Sequence, residues 1–117
     1  MIIGVGVDIV DIARFERALE RTPKLGQRLF VDAERELPAA SLAGRFAAKE
    51  ALIKAFGTSG SMSFHDMEVV TNDLGKPSFS LTGAATELAS SRGVTNVHLS
   101  ITHDANAAIA FVVAEGS

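Results

Sequence analysis

An α+β domain with a mainly antiparallel sheet is what this sequence predicts, on three observations. Its periodic segments run β-α-α-α-β-β-α-β-β, without the strict strand–helix alternation of a parallel sheet. The tetrad DLGK, residues 73–76, separates two short strand-like runs and so closes a hairpin. The 117 residues contain no repeat, linker or low-complexity tract, which predicts one domain over residues 1–117.

Taken in order, residues 2–10 alternate as a buried or half-buried strand. Ile3, Val5, Val7 and Ile9 share one face, and Gly4, Gly6 and Asp8 the other. DIARFERALER follows as an amphipathic helix, with Asp11 as N-cap and Ile12, Phe15 and Leu19 as its apolar stripe. A connection through Pro23 and Gly26 leads to RLFVDAERELP, a short helix capped by Asp32 and stopped before Pro38. A long central helix starts after Ser41 and ends at Gly57. TSGSMSF, residues 58–64, is a loop, and MEVVTN pairs with PSFSLTG across DLGK. AATELASSR is a helix closed by Gly93. NVHLSIT alternates Val97, Leu99 and Ile101 against His98, Ser100 and Thr102, HDAN turns, and AAIAFVV is the last strand.

Composition narrows the function classes. A net charge of −3 argues against a surface built for polyanions, so any phosphate site must rest on local charge. The absence of Cys excludes disulfides, cysteine nucleophiles and thiolate metal sites. The first residues, MIIGVGVDIV, lack a basic leader and soon meet Asp8, and no apolar run approaches a membrane span; a soluble cytoplasmic protein is expected. With no Trp or Tyr, the core relies on aliphatic residues and seven Phe. A mean hydropathy of +0.24 is high for a small monomer and points to self-association.

The chemistry concentrates in AGRFAAKEALIKAFG, residues 43–57. On a helical wheel Arg45 and Lys49 share the sector of Leu52, Ile53 and Phe56, while Glu50 and Lys54 lie beyond Phe46. Ala47, Ala48, Ala51 and Ala55 fill the remaining arc, so no arc is freely solvated. Charges hemmed in this way want partners. Arg45 and Lys49, like charges four residues apart, suit a polyanion. Glu50 and Lys54 could equally form an ordinary local pair. Asp8, at the end of a glycine-rich strand face, could cap a turn; with Glu50 it offers two hard oxygen ligands of the kind Mg²⁺ takes beside phosphates and water. His103 and Asp104 sit where a strand breaks into a turn, and no histidine shows zinc-ligand spacing. Arg14, Arg17 and Arg21 line one face of the first helix, either as a solvated face or as a dock for an acidic helical partner.

GVGVDIVDIARF, AGRFAAKEALIKAFG, DLGKPSF and LSITHDANAAIAFVV together resemble the bacterial holo-acyl-carrier-protein synthases, short members of the 4′-phosphopantetheinyl transferases, from end to end. Each motif alone is weak, but the set in one short chain is specific. The resemblance implies the 4′-phosphopantetheinyl transferase-like fold, an antiparallel sheet packed with a long central helix and shorter ones. It also implies a reaction of fatty acid biosynthesis: Mg²⁺-dependent transfer of phosphopantetheine from coenzyme A to a serine of apo acyl carrier protein. Adenosine 3′,5′-bisphosphate is the other product. Asp8 and Glu50 would hold Mg²⁺, and Lys54 would neutralise the pyrophosphate. His103 would contact phosphates, with Asp104 shaping the metal or water network; Arg45 and Lys49 would take outer phosphates. Gly57 and Pro77 would line the nucleotide site, and Arg14, Arg17 and Arg21 would dock the acidic carrier. A water near Glu50 and Asp104 is the favoured acceptor of the serine proton. The family's short members are homotrimers with active sites between subunits, in keeping with the apolar excess. Two rival functions use the same residues: a Mg²⁺-dependent nucleotide pyrophosphatase, and a coenzyme A or carrier-binding module without activity.

Overall fold

The computed structural model describes all of residues 1–117. Strand β1 (Ile2–Asp11) ends where the Asp11 carboxylate accepts the Arg14 N–H at 2.8 Å, capping α1 (Ile12–Arg21) as expected. The next stretch is helical, not a plain connection. Pro23, whose fixed φ suits the first helical position, opens α2 (Pro23–Leu29), and burial of Leu29 outweighs the cost of Gly26 within it. The following helix, α3, covers only Asp32–Arg35, and its N-cap is Val31 instead of Asp32. Glu34 reaches back to the Val31 N–H at 3.1 Å and supplies the acceptor that Asp32 was expected to give. Pro38 precedes α4 (Ala39–Phe56), which therefore starts before Ser41; Gly57, at φ 83°, closes it in the left-handed conformation.

A 3₁₀ turn (Phe64–Asp66) leads into the hairpin of β2 (Met67–Thr71) and β3 (Pro77–Leu81). Helix α5 (Gly83–Ser91) and strands β4 (Val94–Asp104) and β5 (Ala107–Gly116) complete the chain. The strands form two antiparallel sheets, β1-β5-β4 and β2-β3. Across the larger sheet Asp8 pairs with Ala110 and Ala110 with Ile101, while Val10 and His103 both pair with Ala108.

Helix α4 lies on this sheet through Ala47, Ala48, Ala51 and Ala55, all buried. The approach is so close that a Cβ on Gly4 would stand 2.0 Å from the Ala55 carbonyl oxygen, and one on Gly6 1.9 Å from that of Ala51. Only a strand face without side chains fits there. The glycine face of β1 therefore points inward, and the apolar face points out. Val5, Val7 and Ile9 are 55%, 53% and 65% exposed, and Phe111 of β5 joins them on the outer face.

Candidate active site

Asp8 leaves the inner face of β1 just beyond the glycines, where α4 presents Glu50 and Lys54. Lys54 Nζ donates to the Val7 carbonyl at 3.0 Å and to Asp8 Oδ1 at 3.2 Å. The local Glu50–Lys54 ion pair that the spacing allows is not formed; Lys54 crosses to the strand instead. Glu50 makes no salt bridge and lines a cavity of about 330 Å³ with Asp8, Asp11, Arg14, Phe15 and Phe46. Burial pushes its carboxyl above the ordinary value, the Asp8 charge adds to this, and Lys54 opposes both. With the Asp11 carboxylate engaged in capping α1, Asp8 and Glu50 face the cavity with a single ammonium between the strand and the helix.

Arg14 stands at the mouth of that cavity, and Arg17 and Arg21 continue along the exposed side of α1. Phe15 and Phe46, stacked with ring centroids 5.1 Å apart, form its apolar wall. Neither Phe was singled out from the sequence, because a phenylalanine at helical spacing reads as core.

A second group assembles on the other side of α4. Arg45, Pro77 and His103 line a cavity of about 300 Å³ with Ser41, Thr71, Gly75 and Ile101. His103 Nε2 lies 3.0 Å from the Ala40 carbonyl oxygen, which can only accept, so Nε2 carries a proton and Nδ1 has no partner in the chain. Gly44 makes room for this ring: a Cβ there would come within 3.0 Å of His103 Nε2 and of Ile101 Cγ2.

Strand β5 separates the two groups, so Asp8 and His103 are two strand spacings and two residues of register apart in one chain, about 12 Å between backbones. Asp104 does not join Glu50 in the same chain, contrary to the expected shared water. Alternation along β4 puts it on the outer face, where Oδ1 accepts the Ala105 N–H at 2.8 Å. Gly57 lies at the exposed end of α4, with Arg92 Nη1 donating to the neighbouring Phe56 carbonyl at 2.9 Å.

Lys49 is a correction. Its side chain is fully buried, and its ammonium donates to Glu34 Oε1 and the Leu29 carbonyl, each at 2.7 Å, and to the Phe64 carbonyl at 3.2 Å. All three donors are used, leaving none for a phosphate. Glu34 was missed because nothing in its local sequence separates it from the other charges of DAERE.

Residues 4–112 match the family profile described as the 4′-phosphopantetheinyl transferase superfamily. The chain is 61% identical over 116 residues to a holo-[acyl-carrier-protein] synthase of Clavibacter michiganensis, covering 99% of this chain and 98% of that one. It is 51% identical over 115 residues to the protein of that name from Beutenbergia cavernae, with 98% and 99% covered. Among solved structures, the Neisseria meningitidis holo-[acyl-carrier-protein] synthase superposes with a TM-score of 0.90 at 35% identity, covering 98% and 99% of the two chains. The Helicobacter pylori enzyme in complex with coenzyme A gives 0.84 at 32% identity, covering 95% and 99%.

Proposed function

The chain belongs to the 4′-phosphopantetheinyl transferase superfamily, and from that premise we propose how its residues transfer 4′-phosphopantetheine from coenzyme A to a serine of apo acyl carrier protein. The observation that carries the proposal is the facing pair Asp8 and Glu50 beside Lys54, at a cavity bordered by Arg14.

Two carboxylates that repel each other across a cavity suit a hard divalent cation. No group of three His, Cys, Asp or Glu side chains surrounds a common point, so phosphate and water oxygens must complete the coordination. That is the habit of Mg²⁺, and the residues fit it. When bound, Mg²⁺ would neutralise pyrophosphate charge and fix its geometry.

The serine oxygen attacks the phosphorus that carries the pantetheine arm. The bond from that phosphorus to the bridging oxygen breaks, and adenosine 3′,5′-bisphosphate leaves with the electron pair. Lys54 sits where it can neutralise charge gathering on the leaving phosphate. The serine proton passes through a water held near Glu50 to solvent. Arg45 and His103 take the outer phosphates and Pro77 borders the nucleotide, while Gly57 caps the far end of α4 beyond Lys54. Arg14, Arg17 and Arg21 dock the acidic carrier, which brings its serine to the carboxylate cavity.

One coenzyme A must meet both residue groups. The exposed apolar face of β1 and β5 borders Asp8 and Lys54 through a shallow pocket of Val7, Ile9 and Ile109. Packing of that face against further copies, as a homotrimer, brings His103, Arg45 and Asp104 of one chain towards Asp8, Glu50 and Lys54 of another. Each site is then shared.

Incubation with coenzyme A, Mg²⁺ and apo acyl carrier protein should add about 340 Da to the carrier by intact mass. Coenzyme A cleavage with no labelled carrier would instead identify a pyrophosphatase.

A further inference from the structure

The buried Glu34 has a place in no step described so far, yet it touches both basic residues at the start of the α4 motif. Its side chain is 1% exposed. Oε1 accepts from Lys49 Nζ at 2.7 Å and the Val31 N–H at 3.1 Å; Oε2 accepts the Val69 N–H at 3.0 Å and faces Arg45 Nε at 3.7 Å. Arg45 Nε also donates to the Val69 carbonyl at 3.3 Å. The Nε edge of the guanidinium is thus held by the charge of the Glu34 carboxylate and by the Val69 carbonyl, while the Val69 N–H holds that carboxylate in place.

The other edge is free. Neither terminal nitrogen of Arg45 bonds within the chain, and no buried side-chain nitrogen lacks a partner, so both open to the surface. The cavity that Arg45 lines with Thr71, Pro77 and His103 is the opening available. A guanidinium fixed along one edge and open along the other is a pre-oriented fork for phosphate oxygens. The Lys49 ammonium, in turn, keeps the Glu34 charge paired inside the core.

We infer that Glu34 is a positioning residue for substrate binding: it holds Arg45 so that the guanidinium fork presents its two terminal nitrogens to a coenzyme A phosphate. The inference rests on the reading of Arg45 as a phosphate contact. Glu34 itself touches no substrate, and Lys49 serves by balancing it.

Steady-state kinetics on four variants test this, with thermal melting as a fold control. Arg45→Gln should raise KM for coenzyme A about tenfold, the loss expected for a charge-assisted phosphate contact. Removing Glu34 alone would strand the Lys49 ammonium, so the pair is neutralised together as Glu34→Gln with Lys49→Met. That double variant should raise KM for coenzyme A roughly threefold to tenfold while kcat and KM for the carrier stay within about twofold. Glu34→Asp keeps the core charge but withdraws it by one methylene, and should show the same split. Combining the double variant with Arg45→Gln should give a KM no worse than Arg45→Gln alone. Unchanged KM for coenzyme A in both Glu34 variants, or effects that multiply fully with Arg45→Gln, would overturn the positioning role. An unchanged KM in Arg45→Gln would instead overturn the reading of Arg45, and the inference with it.

Discussion

Glu50 is where function and stability pull in opposite directions. Burial and the facing Asp8 raise its pKa, with Lys54 only partly compensating. A carboxyl with a raised folded-state pKa favours folding when protonated. Its contribution is complete below the unfolded pKa and is lost as pH rises through the folded one. At neutral pH the ionised Glu50 therefore costs stability in the metal-free protein. Glu50→Gln should abolish Mg²⁺-dependent transfer yet raise the metal-free melting temperature by roughly 2 °C at pH 7–8, an effect that vanishes near pH 4. A melting temperature that falls at neutral pH would contradict this origin of the strain. That Asp8, Glu50 and Lys54 come together was legible through the family resemblance, since the residues alone left an Asp8 cap and a local Glu50–Lys54 pair open. Lys49 was misjudged for a related reason. A helical wheel shows that a charge lacks solvent, but it cannot tell a buried partner such as Glu34, fifteen residues upstream, from a bound phosphate.

The contact between β1 and α4 is the element that sets the site. Gly6 admits no side chain because the Ala51 carbonyl oxygen occupies the Cβ position. Gly6→Ala should cost about 3 kcal/mol by chemical denaturation, through displacement of α4; a loss under 0.5 kcal/mol would show that the helix shifts freely. Gly44→Ala is milder, since its Cβ meets a histidine ring and an isoleucine methyl at 3.0 Å. It should lower kcat/KM for coenzyme A severalfold with little change in melting temperature, because the displaced group is His103. The hairpin, the long helix and the α1 cap were all readable from turn and capping residues. Helix α2 was not, since Pro23 and Gly26 signal a break in isolation and the burial of Leu29 decides otherwise. The orientation of β1 was left open by the sequence. Strand alternation separates two faces but does not say which is inside, and here the side-chain-free face wins because α4 packs so closely.

For the molecule as a whole, the outer sheet face is the feature one chain leaves unexplained. Val5, Val7, Ile9 and Phe111 are half exposed or more, or nearly so, on adjacent strands. Covering them with other copies would bury that surface and close each site at once. Phe111→Glu should yield a folded monomer by light scattering and circular dichroism, with transfer reduced about a hundredfold as the shared site is lost. A monomer with full activity would remove the need for assembly. The shared site itself is tested most directly by complementation. Asp8→Asn and His103→Ala each disable one of the two residue groups, and each alone should be inactive. Co-expressed from differently tagged chains and purified as mixed trimers, they should regain about a third of the normal transfer rate, because one site in three then combines an intact Asp8 with an intact His103 from a neighbour. Mixed oligomers that stay as inactive as the single variants would contradict a site shared between chains.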